Sequence, residues 1–232
     1  MLPESNIAIQ THQLSKTIGT RRVLREIDWS IAKGECVALL GDNGAGKTTL
    51  LRCLAGSLQP TAGQVRWFGQ AVSSDVRQRR IIGMVAHESR LYQPLTVREN
   101  LLFAARMHSL SDPMKRCDEV LDRVELGFCA DRPTREISKG MCQRLSLARA
   151  LIHDPPILLL DEPFSGLDSA GCDWLLDMLR DRRSEGRAIC FSTHGDDWKH
   201  VADRVTRLKD GALLRANAIG DATAGDALRS AG

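Results

Sequence analysis

Apolar and polar positions in the first third of the chain alternate in short runs, separated by glycines and charged residues. Alternation of this kind is typical of β-strands that bury one face. One segment departs from it, because Leu50, Leu51 and Leu54 have helical spacing. The start of the chain is therefore predicted to be β-rich with one early helix. The predicted elements are strands at residues 7–16, 23–41 and 63–72 and a helix at residues 47–56.

The pattern becomes helical in the middle of the chain. Thr96 and Glu99 have the spacing of a capping box, in which each side chain binds the backbone N–H of the other residue. Asp112 followed by Pro113 is typical of a second helix start. We therefore expect a helical insert at about residues 93–154.

Short apolar runs return in the last third of the chain. Residues 156–163 and 187–194 are predicted strands, and residues 172–186 between them have a helical pattern. Strands that alternate with helices build a parallel sheet, so this part predicts an α/β fold.

Composition narrows the class of protein. The 232 residues are 43% apolar and 26% charged, which is ordinary for a globular protein with a buried core. A net charge of +3 gives no basic face, so no nucleic-acid partner is expected. No apolar run approaches the roughly 18 residues of a membrane span, and the start lacks a secretory signal, so we expect a cytoplasmic protein. The seven cysteines show no CxxC pair, which favours buried, reduced thiols.

The strongest chemical signal is a glycine-rich stretch between a predicted strand and a predicted helix. It satisfies G-x-x-x-x-G-K-[ST], the pattern of a phosphate loop. In such a loop the backbone N–H groups converge on phosphates, Lys47 reaches the β- and γ-phosphates and Thr48 can ligate Mg²⁺. The predicted nucleotide-binding residues are Gly41, Asp42, Asn43, Gly44, Ala45, Gly46, Lys47, Thr48 and Thr49.

A second signal lies at the end of the apolar run at residues 157–160. Asp161 follows this run, and ligands of open α/β sheets bind at the carboxyl ends of strands, so Asp161 is the predicted second Mg²⁺ residue. Glu162 is the candidate general base for a water that attacks the γ-phosphate. Both acids alone could be solvated turn residues. Together with the phosphate loop they predict a Mg²⁺-dependent nucleoside triphosphatase.

Further motifs stand between and after these two signals. The stretch ISKGMCQRLSLARALIHDPP precedes the acids, and SGLD and STH follow them. In this order the motifs resemble those of the ATP-binding subunit of ABC transporters. The resemblance implies a P-loop NTPase with a RecA-like core, an antiparallel β subdomain and an inserted helical subdomain. It implies an ATP-binding domain at residues 6–215 and leaves residues 216–232 as an expected flexible tail.

The resemblance assigns roles to residues outside the phosphate loop. His194 becomes the switch histidine, which would hold the γ-phosphate and the attacking water beside Glu162, and Asp168 becomes a residue at the contact between two subunits. A short signature motif would act on the ATP that a second subunit holds. Its residues here are Ser138, Lys139, Gly140 and Met141.

The sequence also departs from the family pattern. Lys139 stands where the family has a glycine and Met141 where it has a glutamine, while Ser138 and Gly140, the phosphate-facing pair, are kept. The family usually stacks an aromatic side chain on adenine, but Ile18 occupies that place here. The resemblance therefore predicts apolar contact between Ile18 and the base. Burial of Ile18 in the sheet is the alternative.

His87 occupies the position of the family's glutamine loop, whose glutamine touches Mg²⁺ and senses the membrane partner. A neutral imidazole can replace that glutamine as an acceptor. With the surrounding motifs, His87 makes the chain resemble the ATP-binding subunit of haem exporters of cytochrome c biogenesis. Exporters of drugs, lipids or polysaccharide remain alternatives.

The resemblance implies several partners. They are ATP and Mg²⁺, a second ATP-binding subunit in a homodimer or a pair, and an integral membrane permease at the cytoplasmic face of the inner membrane. Leu91, Tyr92 and Leu95 could contact the permease, or could equally pack the helical insert against the sheet. A soluble ABC ATPase that acts on nucleic acid or the ribosome is the alternative of another class. Such proteins usually carry two cassettes, a coiled-coil insertion or basic extensions, so transport is expected.

Overall fold

The computed structural model describes residues 6–72, 75–87 and 89–214, and their strands form two sheets. The predicted tail at residues 216–232 lies outside the described residues. The first sheet is antiparallel with strand order β2-β1-β4-β5. Its long central hairpin turns at Gly19, and β1 pairs with both β2 and β4. The strands of this sheet are β1 (Ile7–Ile18), β2 (Arg21–Ala32), β4 (Ala62–Trp67) and β5 (Gln70–Ala71).

The second sheet has the order β10-β9-β3-β8-β7-β6 and is parallel except for the terminal hairpin. Every residue of β3, β7 and β8 is buried, as expected for parallel strands covered on both faces. A turn at Asp210 and Gly211 joins the antiparallel pair β9 and β10. The strands are β3 (Cys36–Leu40), β6 (Ile82–Val85), β7 (Ile157–Asp161), β8 (Ala188–Ser192), β9 (Arg204–Lys209) and β10 (Ala212–Leu213).

The longer helices are α1 (Lys47–Leu54), α2 (Val97–Met107), α3 (Pro113–Arg123), α4 (Lys139–Leu151) and α5 (Ser169–Ser184). Short 3-10 helices lie at Val76–Ile81, Gly127–Cys129, Thr134–Glu136 and Asp197–His200. Among the described residues, none of the helices combines the length and apolar character that a membrane crossing requires.

The helix starts predicted in the middle of the chain are confirmed. Thr96 Oγ1 accepts from the Glu99 N–H at 3.1 Å, and Glu99 Oε2 accepts from the Thr96 N–H at 2.8 Å, which completes the capping box of α2. Asp112 caps α3 by accepting from the Lys115 N–H at 3.1 Å, and Pro113 is the first helical residue. Such a cap contributes about 1 kcal/mol, because it satisfies N–H groups that the helix leaves unpaired.

Three apolar clusters hold the elements together. The first lies between α1, the antiparallel sheet and one face of the parallel sheet, and the second covers the other face with α4 and α5. The third joins α2, α3 and α4. Leu147 and Leu151 of α4 belong to the second cluster, whereas Leu145 and Ala148 belong to the third. Helix α4 therefore joins the helical part of the chain to the parallel sheet.

Candidate functional site

The glycine-rich loop connects β3 to α1 and turns the backbone sharply. Gly41 has φ +155°, and a Cβ there would lie 2.3 Å from the carbonyl oxygen of Leu208 on β9. Only glycine avoids that clash. Gly46, the N-cap of α1, has φ +109°, in the left-handed region that glycine tolerates.

The first turn of α1 begins directly after this loop. Gly46 carries no side chain, so no side-chain hydrogen bond caps the free N–H groups of α1. The N-terminus of a helix has a partial positive charge, and its N–H groups point toward an incoming anion. The loop and α1 together have the form of a phosphate site.

Lys47 points back into the loop. Its Nζ donates to the carbonyl oxygens of Gly41 at 2.6 Å and Asp42 at 3.2 Å, and the residue is only 6% exposed. Burial lowers the pKa of Lys47, while the negative charges of Glu162, Asp161 and Asp42 act in the opposite direction. The ammonium group therefore has carboxylates near it and donates to two carbonyl oxygens of the loop.

Asp161 ends β7 and is 1% exposed. Its Oδ1 accepts from Ser192 Oγ at 2.7 Å, which fixes the orientation of the carboxylate. Its Oδ2 is buried and has no hydrogen-bond partner among the described residues. A buried carboxylate oxygen without a partner is costly, so this atom fits a ligand that supplies positive charge. Asp161 and Thr48, with their oxygen donors, fit the predicted Mg²⁺.

Glu162 has a strained backbone with φ +52°, a conformation that costs on the order of 1–3 kcal/mol in a residue other than glycine. Its N–H donates to Ser192 Oγ at 2.9 Å, which supports this turn. Its Oε1 lies 2.6 Å from His194 Nε2, and its Oε2 lies 3.6 Å from His87 Nδ1. Glu162 is thus flanked by two imidazoles.

His194 also lies 3.3 Å from the Nζ of Lys47 through the same nitrogen, Nε2. The contact to Glu162 is the shorter of the two, so we place the proton of Nε2 on the glutamate side. The residues predicted to be the base, the switch histidine and the phosphate-loop lysine therefore lie in one cluster.

A cavity of about 380 Å³ opens beside this cluster. Most of the predicted phosphate-loop residues line it, as do His87 and Glu162. Ile18 does not line this cavity and is 53% exposed at the end of β1. Arg21 and Val23, which the sequence did not indicate, line it instead. The loop residues that line the cavity are Asp42, Asn43, Gly44, Gly46, Lys47, Thr48 and Thr49.

Arg21 reaches the cavity from the antiparallel sheet. It pairs with Ile18 across the β1-β2 turn, and its Nη2 lies 3.4 Å from the carbonyl oxygen of Gly44. The sequence contained a signal for Arg21. In a tight hairpin that turns at Gly19, the residue that faces Ile18 lies two or three positions after Ile18.

The signature residues lie around a different cavity, of about 680 Å³. Ser138 caps α4 by accepting from the Met141 N–H at 3.2 Å, and the stem of Lys139 packs on Gly166. Asp168 caps α5 and also lines this cavity. The signature cavity, lined by Ser138, Lys139, Gly140, Met141 and Asp168 among others, shares no lining residue with the cavity at the phosphate loop.

Comparison with known proteins identifies the family. The model of the family described as ABC transporter matches residues 24–165. The chain belongs to the ABC transporter family. It is an ATP-binding subunit that contains the family's ATPase domain, as the motifs predicted.

The relatives differ in what they transport. The sulfate/thiosulfate import ATP-binding protein CysA of Pectobacterium atrosepticum is 40% identical over 216 residues, which are 89% of this chain and 65% of that protein. The Nod factor export ATP-binding protein I of a Rhizobium species is 38% identical over 216 residues, 90% of this chain and 70% of that protein. This chain thus spans about two thirds of the length of these relatives, which include an importer and an exporter.

Solved structures confirm the fold. A structure described as the ATP-binding subunit of an ABC transporter has a TM-score of 0.86 and 28% identity, covering 97% of this chain and 95% of that one. The dimeric post-hydrolysis state of the ATP-binding cassette MJ0796, bound to ADP and Pi, has a TM-score of 0.84 and 27% identity. The match covers 90% of this chain and 98% of that one. The predicted P-loop NTPase fold, with an antiparallel β subdomain and a helical part, is confirmed.

Proposed function

We propose that this chain binds and hydrolyses Mg²⁺-ATP and thereby powers a membrane permease. One observation carries the proposal. Lys47, Glu162 and His194 form a contact cluster beside the phosphate cavity, and Asp161, which precedes Glu162, is buried. These are the groups that γ-phosphoryl transfer to water requires.

The phosphate loop provides the groups that bind the triphosphate of ATP. The triphosphate enters the cavity of about 380 Å³, and the free N–H groups at the start of α1 donate to its oxygens. Lys47 exchanges the carbonyl oxygens of Gly41 and Asp42 for phosphate oxygens. A charged acceptor makes a stronger hydrogen bond with an ammonium group than a carbonyl does, so this exchange favours bound nucleotide.

Thr48 and Asp161 would hold Mg²⁺, which neutralises charge on the phosphates when it is bound. The partnerless Oδ2 of Asp161 supports this assignment. Ser192 keeps the carboxylate oriented through its other oxygen.

Hydrolysis uses Glu162. As the oxygen of water bonds to the γ-phosphorus, Glu162 accepts a proton from that water, and the bond to the oxygen that bridges the β- and γ-phosphorus breaks. His194 orients the carboxylate through the 2.6 Å contact to Oε1. The strained turn at Glu162 aims the side chain into the cavity, where Glu162 is one of the lining residues.

The complete site needs a second subunit. The signature residues line a cavity that has no lining residue in common with the phosphate cavity, so they are placed to act on nucleotide held elsewhere. We propose that two chains, either identical or paired, face each other so that the signature of each closes over the phosphate loop of the other. The dimeric structure of the related cassette MJ0796 supports this arrangement.

We propose that the permease contacts the helical part of the chain. Tyr92 and Phe103 are 49% and 43% exposed, and their rings form an edge-on pair with centroids 5.0 Å apart. Leu91, by contrast, is buried in the cluster formed by α2, α3 and α4. Exposed aromatic side chains are enriched at protein interfaces. The proposed location is therefore the cytoplasmic face of the inner membrane, at the permease.

Export of haem for cytochrome c biogenesis is the proposed transport function, with export of drugs, lipids or polysaccharide as its alternative. It depends on the resemblance at His87 and in the surrounding motifs. The reported relatives include both an importer and an exporter of other substrates. Transport of haem by vesicles that contain this chain and its permease would support the proposal, and ATP-driven transport of sulfate in the same vesicles would contradict it.

The experiment that tests ATP hydrolysis uses Glu162→Gln. The amide keeps the size of the side chain and removes the base, so the variant should bind ATP and accumulate as an ATP-bound dimer with hydrolysis reduced at least about a hundredfold. Phosphate release and size-exclusion chromatography with ATP measure the two effects. Normal phosphate release by this variant would reject Glu162 as the base.

A further inference from the structure

The loop after β6 brings a second histidine to the general base. We propose that His87 is a positioning residue for Glu162: it holds Oε2 through Nδ1 while His194 holds Oε1. This inference rests on the proposed role of Glu162 as base. It adds to the role that the family resemblance implies for His87, which is contact with Mg²⁺ and with the membrane partner.

Strand register explains why His87 reaches Glu162. Strands β6 and β7 are parallel neighbours, and Val85 pairs with Leu160. Two residues further along each strand direction lie His87 and Glu162. Because parallel strands advance by the same distance per residue, these two positions leave the sheet side by side. The contact is therefore built into the register of the sheet.

The strand on the other side of β7 leads to His194, which lies one residue beyond the position level with Glu162. Asp161 pairs with Ser192 in β7 and β8, so the end of β8 lies beside Glu162 on the side opposite β6. The two histidines thus approach the carboxylate from opposite neighbouring strands. Each histidine faces a different oxygen, Oε1 for His194 at 2.6 Å and Oε2 for His87 at 3.6 Å.

Two contacts orient a glutamate better than one. The last torsion of a glutamate side chain is broad, so a carboxylate held through one oxygen still rotates. An N–H at the second oxygen restricts this rotation and fixes the direction of the lone pair that accepts the proton from water. The separation of 3.6 Å is longer than a hydrogen bond, and the His87 side chain is 58% exposed, so a small rotation of the ring can bring Nδ1 within hydrogen-bond distance of Oε2.

The atom that makes the contact permits a sharp test. The side-chain nitrogen of asparagine is as many bonds from Cα as Nδ1 of histidine, and that of glutamine is as many bonds from Cα as Nε2. If Nδ1 holds Glu162, asparagine at position 87 should replace histidine and glutamine should not. If His87 acts through Nε2 as a substitute for the family's glutamine, the order should reverse.

The experiment compares His87→Ala, His87→Asn and His87→Gln in the purified chain with Mg²⁺-ATP. We expect kcat to fall about tenfold in the alanine and glutamine variants and to stay within about threefold of wild type in the asparagine variant. The KM for ATP should stay within about twofold in all three, because His87 acts on the base and leaves phosphate binding to the loop.

A matched control exists elsewhere in the chain. His12 on β1 also has its Nδ1 3.6 Å from a carboxylate, that of Asp28, and its side chain is also 58% exposed. Neither residue lines the phosphate cavity. The variants His12→Asn and His12→Gln should keep the wild-type kcat, which would show that loss of an exposed ion pair alone has no effect.

Two results would overturn the inference. One is a glutamine variant at position 87 that retains activity while the asparagine variant loses it, and the other is equal activity of all three variants. Glu162→Gln is measured in parallel. If it hydrolyses ATP normally, the base assignment fails and this inference fails with it. If Glu162→Gln is inactive while His87→Gln is more active than His87→Asn, only the role of His87 is rejected.

Discussion

Lowering the pH from 7 to 5 should destabilise the fold through a pair of stacked histidines. His108 is the C-cap of α2 and His153 follows α4, and their rings are parallel within 5° with centroids 3.7 Å apart. His153 Nε2 lies 3.2 Å from the carbonyl oxygen of Ile82 at the start of β6, so it carries the proton and donates. His153 Nδ1 is buried and has no hydrogen-bond partner among the described residues. A second proton has no acceptor there.

The environment opposes protonation of both rings. Burial is the main cause that lowers the pKa of His153 to about 4, and His108 and Arg116 lower it further, while the bond to Ile82 and the charge of Asp154 oppose this only in part. Burial and then Arg80 lower the pKa of His108 as well. The pKa values of both histidines are therefore lowered.

The direction of the pH effect follows from linkage. In the unfolded chain a histidine has a pKa of about 6.5, so between about pH 6.5 and about pH 4 the unfolded chain binds a proton that folded His153 does not. The stability from a neutral His153 is present above pH 6.5 and is lost as the pH falls toward 4. The free energy of unfolding changes by about 1.4 kcal/mol per pH unit, so between pH 6.5 and pH 4 the loss is about 3 kcal/mol. At pH 5, with partial exposure of the ring, about 1–2 kcal/mol is lost.

Urea unfolding at pH 7 and pH 5 measures this loss. His153→Gln removes the titration, and its side-chain nitrogen can still donate to the carbonyl oxygen of Ile82. Wild type should lose about 1–2 kcal/mol more than this variant when the pH is lowered. His12→Gln, a change at an exposed histidine on β1, should behave like wild type. An equal loss in wild type and His153→Gln would refute the reasoning.

Three other predictions concern the nucleotide site and the helical part. Lys47→Ala should abolish ATP affinity, because the loop loses its one buried cation, and retained tight binding of a fluorescent ATP analogue would contradict the loop assignment. Arg21→Ala should raise the KM for ATP about threefold to tenfold at constant kcat, since Arg21 lines the cavity outside the reacting cluster; an unchanged KM would show that Arg21 makes no contact with the nucleotide. Leu121→Ala, in the third apolar cluster, should cost about 2–5 kcal/mol in urea unfolding, and a cost well below 1 kcal/mol would contradict the assigned packing.

Features that a few neighbouring residues determine were predictable from the sequence. The capping box of Thr96 and Glu99 depends on groups three residues apart, and the start of α3 depends on Asp112 and Pro113. The turn of the phosphate loop depends on glycines within it, since Gly46 has φ +109°, in the left-handed region that glycine tolerates. For these features the local chemistry and the final fold agree.

The features that the sequence did not reveal depend on which elements become neighbours. His108 and His153 meet because the ends of α2 and α4 lie close together, and nothing local to either residue indicates the pair. The turn at Gly19 places Arg21 opposite Ile18, but the entry of Arg21 into the cavity depends on β2 lying next to α1. Both contacts result from tertiary packing. The pattern of hydrophobic positions predicts which elements form, but it does not predict which single side chains meet.

The sequence motif and the strand order determine different features of the surroundings of the base. A motif identifies Glu162 by its place after an apolar strand, but the partner of each carboxylate oxygen depends on strand order. With β6 on one side of β7 and β8 on the other, His87 and His194 reach different oxygens of one carboxylate. A different order of the same three strands would keep every motif and would separate one of the histidines from Glu162. The orientation of the base is therefore a property of the sheet, and exchanging nitrogen positions at residue 87 tests it without altering the phosphate loop.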